Sequence, residues 1–231
     1  MVILTRIALC LEYDGSVFEG WQSQSHGRTA QDQVDRAISM IAGHPVVTSC
    51  AGRTDTGVHA SVQVVHFDTT ARRPLSAWVR GVNSNLGPSV AVRSSHEVDE
   101  RFHARFSAYR RHYRYILLNR PVRPALLYGR VGWYHVPLDV ERMASAVTAL
   151  VGDHDFSAFR AARCQGRTPI RRMHHAEVQR RGDFLVFDFA ANGFLHHMVR
   201  NLVGALVYVG RSSQEPGWIA ELLKQRDRRF A

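Results

Sequence analysis

Asp55 is the residue whose surroundings in the sequence most suggest chemistry. It lies in Ala51-Gly-Arg-Thr-Asp-Thr-Gly-Val-His-Ala60, a turn-forming run between two apolar segments, with Arg53 two positions before it and glycines at 52 and 57. A carboxylate has an ordinary pKa of about 3.9 and is ionised at neutral pH, and neighbouring guanidinium groups hold it in that form. In that state it can act as a nucleophile or as a base. The glycines allow backbone geometries and close approaches that a Cβ would forbid, and loops on a rigid scaffold carry a large share of catalytic groups. The same composition also suits an ordinary Asp-Thr-Gly turn beside a surface arginine.

Other chemistries find less support. His174-His175 and His196-His197 invite a metal reading, but the sequence has no H-E-x-x-H, no H-x-E with C-x-x-C, and no acidic cluster near either pair. The same gaps disfavour a nucleotide deaminase. There is no G-x-x-x-x-G-K-[ST] or G-x-G-x-x-G phosphate loop, and no second positioned acid for glycosidase chemistry. Cys10, Cys50 and Cys164 are odd in number and far apart, which argues for three reduced thiols.

A second anchor is Asn192-Gly-Phe-Leu-His-His-Met-Val-Arg-Asn201. Leu195, Met198, Val199, Leu202, Val203 and Leu206 recur as an apolar helix, so Arg200 is expected to be embedded in it, facing a partner charge either structurally or in a site. A third is the strand Tyr109 to Leu118, where Tyr109, Arg111, Tyr113 and Tyr115 share one face. That face suits the floor of a wet cleft or aromatics packed beneath a helix.

The elements that must position these residues can be read from periodicity. Residues 3–13 alternate as a half-buried strand ending in the turn Tyr13-Asp-Gly-Ser16 and the glycine-broken aromatic loop Phe18 to Gln22. Thr29 is expected to cap a helix that Gly43 stops. Residues 45–50 read as a strand leading into the Asp55 loop, and strands follow at 58–67 and 90–98 with a helix at 75–82 between them. Arg101 to Phe106, which interleaves arginines with aromatics, reads as a linker or a nucleic-acid-facing loop. Asp139 is expected to cap a helix running to about Val151, which Gly152 ends. Residues 153–171 read as a loop carrying Arg160, Arg163, Arg167 and Arg171, and 173–179 with 184–190 as a hairpin around Arg181-Gly-Asp183. The order strand, helix, strands thus occurs twice, at about 3–67 and 109–190, which suggests two α/β halves forming a groove.

Charge indicates the partner. The 231 residues carry 30 Lys+Arg against 20 Asp+Glu, a net +10, and Lys224 is the one lysine. Arginine binds phosphate bidentately and stacks on bases, so a polyanion such as nucleic acid is expected. A GC-rich genome would account for the Arg/Lys ratio, though not for the net excess. No stretch resembles a signal peptide or a membrane helix, and a soluble, unexported protein is expected.

Six collinear motifs carry a family resemblance. They are Tyr13-Asp-Gly-Ser with Gly20-Trp-Gln22, Ala51-Gly-Arg-Thr-Asp-Thr-Gly-Val-His59, Phe102-His-Ala-Arg-Phe-Ser107, Arg111-His-Tyr-Arg-Tyr115, Asp155-Phe-Ser-Ala-Phe159 and His196-His-Met-Val-Arg-Asn201. Together they resemble the tRNA pseudouridine synthase A family from end to end. The resemblance implies isomerisation of uridine to pseudouridine in the anticodon stem-loop of tRNA, at positions 38 to 40, by a cytoplasmic homodimer with no cofactor, no metal and no membrane. It implies an α+β fold of two similar α/β halves, residues 1–105 carrying the Asp loop and 106–231, with antiparallel sheets joined across a central RNA-binding cleft. By the family pattern Asp55 is the catalytic nucleophile, Tyr113 stacks on the target base and takes part in proton transfer, Arg200 pairs with the carboxylate, and Arg53 holds the flipped nucleotide or its phosphate. Members continue into a final strand of the Gly-Leu-Tyr-Leu type, whose leucine lies beneath the uracil. That strand has no counterpart here, so a weakly active or non-catalytic tRNA-binding protein is the alternative expectation.

Overall fold

The computed structural model describes residues 4–162, 164, 166 and 168–230. Arg163 and Arg167, two of the four arginines expected in the 153–171 loop, lie outside the described residues. The chain divides into two compact units, Met1–Tyr109 and Arg110–Ala231.

The first unit contains, in order, β1 (Thr5–Tyr13), α1 (Ala30–Ala42), β2 (Ser49–Cys50), β3 (Ala60–Thr69), α2 (Leu75–Ser84) and β4 (Val90–Val98). Its four-stranded antiparallel sheet has the order β2-β3-β1-β4. The period-2 pattern of β1 puts Ile7, Leu9, Leu11 and Tyr13 into a core shared with Val34 and Ile38 of α1 and Trp78 and Val82 of α2. As the spacing predicts, α1 starts at Thr29, whose side chain accepts from the Asp32 N–H, and ends at Gly43 in the left-handed region. Residues 45–48 do not join the sheet. Pro45 has no N–H to offer, and helix side chains satisfy the next amides: Val46 N donates to Ser39 Oγ at 2.9 Å and Thr48 N to Asp35 Oδ1 at 3.0 Å.

The second unit contains β5 (Arg111–Asn119), β6 (Gly132–Tyr134), α3 (Val140–Val147), β7 (Gly152–Asp155), β8 (Ile170–Arg181), β9 (Phe184–Ala191), α4 (Met198–Gly210) and α5 (Trp218–Gln225). Its sheet runs β6-β5-β9-β8-β7 and is antiparallel except for β5 with β6. Met143, Phe156, Phe159, Phe187, Leu202, Leu206 and Leu222 form the centre of its core.

Three expectations change here. Asp139 caps α3 through its carboxylate, but the helix tightens into a 3₁₀ turn at Thr148–Leu150, and Gly152, at φ 117°, opens β7 rather than ending a helix. The 153–171 stretch is partly structured, because His154 and Asp155 pair with β8 and Ser157–Phe159 forms a 3₁₀ turn with Phe156 and Phe159 fully buried. In β5, Tyr115 and Leu117 pack against the core while His112 and Arg114 are exposed on the other face, Tyr113 is half-buried, and Tyr109 precedes the strand instead of sharing its face.

Candidate active site

In the first unit the candidate carboxylate is on the connection from β2 to β3, whose entry is clamped by a buried amide. Gln63 Nε2 donates to the Gly52 carbonyl at 2.5 Å, and the Gly52 N–H donates back to Gln63 Oε1 at 3.3 Å. Thr54, next to Asp55, is held at both ends. Its carbonyl accepts the Trp21 N–H at 3.0 Å, and its Oγ1 lies 2.7 Å from the hydroxyl of Tyr13. Beyond Asp55 the chain turns back, the Val58 N–H donating to the Asp55 carbonyl at 3.1 Å. Gly57 supplies the positive φ, 78°, that the third position of such a turn requires.

The Tyr13–Gln22 segment is the backing of this loop. Trp21 is buried, and Gly15 lies so close to Val58 that a Cβ there would sit 2.0 Å from the Val58 carbonyl oxygen. Asp14 caps the 3₁₀ turn Gly15–Val17, and His59 Nδ1 lies 3.0 Å from Asp14 Oδ1 and 3.2 Å from Gly15 N. Burial pushes the Tyr13 phenol up, against the smaller pull of its hydrogen bonds to Thr54 and Gln63. Asp55 is half-buried on this tied turn and Arg53 is exposed. The arrangement presents a carboxylate from a backbone fixed on both sides, the form a nucleophile needs.

In the second unit Tyr113 lies near the start of β5, with Phe194 edge-on to its ring at 4.9 Å between centroids. The segment bearing Phe194 is tied at several points. The Asn192 N–H donates to the Arg172 carbonyl and its Oδ1 accepts the Arg172 N–H, both at 3.0 Å, and its carbonyl accepts from Arg111 at 2.6 Å. The His196 carbonyl accepts the Ala161 N–H, and Asn201 Nδ2 donates to the Phe159 carbonyl at 2.9 Å. His197 turns the chain into α4 from the left-handed region, φ 60°.

Arg200 is exposed rather than embedded. The apolar stripe of α4 is Met198, Leu202, Val203, Ala205, Leu206 and Val209, and position 200 falls on the opposite side with Gly204 and Tyr208. Within the second unit, no described carboxylate pairs with it. The four expected site residues are therefore divided: Arg53 and Asp55 share one loop of the first unit, whereas Tyr113 and Arg200 belong to the second.

Gln63 carries no motif signal in the sequence, and Tyr13 and Trp21 fall in its turn and loop segments. The available signal was parity: Gln63, Val65 and Phe67 alternate onto the core face of β3, so an amide at 63 is buried and must spend its hydrogen bonds.

Comparison with known proteins identifies relatives over nearly the whole chain. Residues 9–107 and 146–231 match the family model described as tRNA pseudouridine synthase. A protein of Aromatoleum aromaticum named tRNA pseudouridine synthase A is 63% identical over 226 residues, 98% of this chain and 86% of that protein. Proteins of the same name from Dechloromonas aromatica and Thiobacillus denitrificans are each 58% identical, covering 98% and 97% of this chain and 86% of theirs.

Proposed function

The chain belongs to the tRNA pseudouridine synthase family, and from that premise we propose that it isomerises uridine to pseudouridine in the anticodon stem-loop of tRNA, at positions 38 to 40, with Asp55 as the nucleophile. The observation that carries this reading is the identity of 52–63% to proteins named tRNA pseudouridine synthase A over 97–98% of the chain.

The reaction conserves atoms. The bond from N1 to the ribose carbon breaks, the uracil turns, C5 bonds to the same carbon, and the proton lost from C5 is matched by one gained at N1. Asp55 attacks the sugar or the base while the uracil is detached. Tyr113 stacks on the target base and takes part in proton transfer, Arg200 pairs with the carboxylate, and Arg53 holds the flipped nucleotide. Extruding a base from a stem costs a few kcal/mol, which stacking and phosphate contacts offset. The net charge of +10 supports such contacts, as do Phe106 and Tyr109, 76% and 84% exposed, with the Arg105 guanidinium 5.6 Å from the Phe106 ring. A tRNA substrate supports a cytoplasmic location, and the family pattern supports a homodimer. Among the described residues, no helix is long and apolar enough to cross a membrane.

The test is nucleoside analysis of an unmodified tRNA transcript after incubation with the chain. Pseudouridine is expected, and Asp55→Asn should lower its rate of formation by at least about 10³-fold while binding persists. Product formation that survives the substitution would overturn the mechanism, and binding without product from the unaltered chain would favour the non-catalytic alternative.

A further inference from the structure

We propose that the buried hydroxyl of Tyr13, together with Gln63 and Thr54, is the positioning element that aims Asp55. This rests on the reading of Asp55 as the nucleophile.

Tyr13 ends the core-facing row Ile7, Leu9, Leu11, Tyr13 and is 5% exposed. Its ring packs against Phe18 and Trp21, at 6.5 and 5.6 Å between centroids, a slot that phenylalanine would fill equally well. Packing therefore does not explain the oxygen, and a buried hydroxyl without partners costs free energy. This one is engaged. Gln63 Nε2, itself buried and clamped to Gly52, approaches the phenol oxygen at 3.5 Å. An oxygen that accepts from the amide has its own proton available for Thr54 Oγ1 at 2.7 Å. Burial holds the phenol protonated, so that donation persists across the neutral range.

The consequence falls on the neighbouring residue. The Trp21 N–H fixes the Thr54 carbonyl and the Tyr13 hydroxyl fixes its side chain, and Gly20 backs it so closely that a Cβ there would sit 3.1 Å from the Thr54 carbonyl oxygen. With the turn closed behind it by Val58, the Asp55 backbone is left little rotational freedom. A displacement of about 1 Å at a reacting group costs about 100-fold in rate. The hydroxyl thus acts on turnover through Thr54 without touching RNA.

The experiment compares Tyr13→Phe, Thr54→Val, Thr54→Ser and the double variant Tyr13→Phe/Thr54→Val by single-turnover pseudouridine formation, tRNA binding and thermal melting, beside Asp55→Asn. The expected result is a rate lowered about 10- to 100-fold in Tyr13→Phe and Thr54→Val, with tRNA affinity unchanged within about twofold and the folded fraction intact. Thr54→Ser, which keeps the hydroxyl, should retain most of the rate, and the double variant should be no slower than the slower single one, because both remove one contact. A wild-type rate in Tyr13→Phe, additive losses in the double variant, or a loss that tracks the unfolded fraction would overturn the inference. Activity in Asp55→Asn would instead overturn the reading beneath it.

Discussion

In the first unit the candidate carboxylate sits on a loop tied by polar contacts from β1, β3 and the Tyr13–Gln22 segment, whereas in the second Tyr113 and Arg200 stand on a strand and a helix that packing holds. The difference follows from what each group must do. A loop can bring a short carboxylate to the edge of a sheet, but its backbone loses the order of a ladder or helix, and buried side chains must restore it. A long arginine or an aromatic ring reaches its target from a regular element, whose backbone is already satisfied.

The sharpest way to break this comparison is to add one methyl group to each unit. Gly15→Ala places a Cβ 2.0 Å from the Val58 carbonyl oxygen, and neither backbone can yield without moving the Asp55 turn. Its pseudouridine-forming rate should fall about 100-fold or more. Gly193→Ala, in the segment that leads into α4, meets only the Arg171 side chain at 3.5 Å, an ordinary contact, and its rate should stay within about twofold. Equal sensitivity in rate assays would show that the two sites are held alike.

The same contrast governs how far the sequence could be read. Elements with a clear period were legible: α1 with its Thr29 and Gly43 ends, β4 at Val90–Val98, and the β8–β9 hairpin. So was the catalytic candidate loop, because glycines around an acid mark a turn and the motifs around it are dense. What escaped was decided by partners far along the chain. Residues 45–48 look like a strand, but Asp35 and Ser39 take their amides. The three-residue β6 exists only beside β5, and α5 is short enough that its Ile219, Leu222 and Leu223 gave no separate signal. The apolar average of α4 suggests an embedded Arg200, while its angular position on the helix is what exposes it.

A smaller effect tests whether polar ties in the first unit also carry its stability. Asp35 of α1 anchors Thr48, ahead of β2, accepting its N–H at 3.0 Å and its hydroxyl at 2.6 Å. Burial pushes this carboxyl up to about 6, outweighing the Thr48 hydrogen bonds that pull it down. Between an unfolded value of about 3.9 and the folded one, the native state keeps a proton that the unfolded chain has lost. The contribution of Asp35 is therefore fully present below about 3.9 and is lost as pH rises through about 6. His66 and His112, pushed down chiefly by burial, act with the opposite sign, losing stability as pH falls through the histidine range. The pH profile of the wild type alone is thus ambiguous, and the informative quantity is its difference from Asp35→Asn, in which the histidines cancel. Urea unfolding from pH 4.5 to 7.5 should show wild type losing about 1 to 2 kcal/mol relative to the variant, less than the full shift because the carboxylate keeps some water. A difference that is flat with pH would mean that Asp35 is ionised at no cost in the fold, and that the strand leading to the Asp55 loop is held by packing after all.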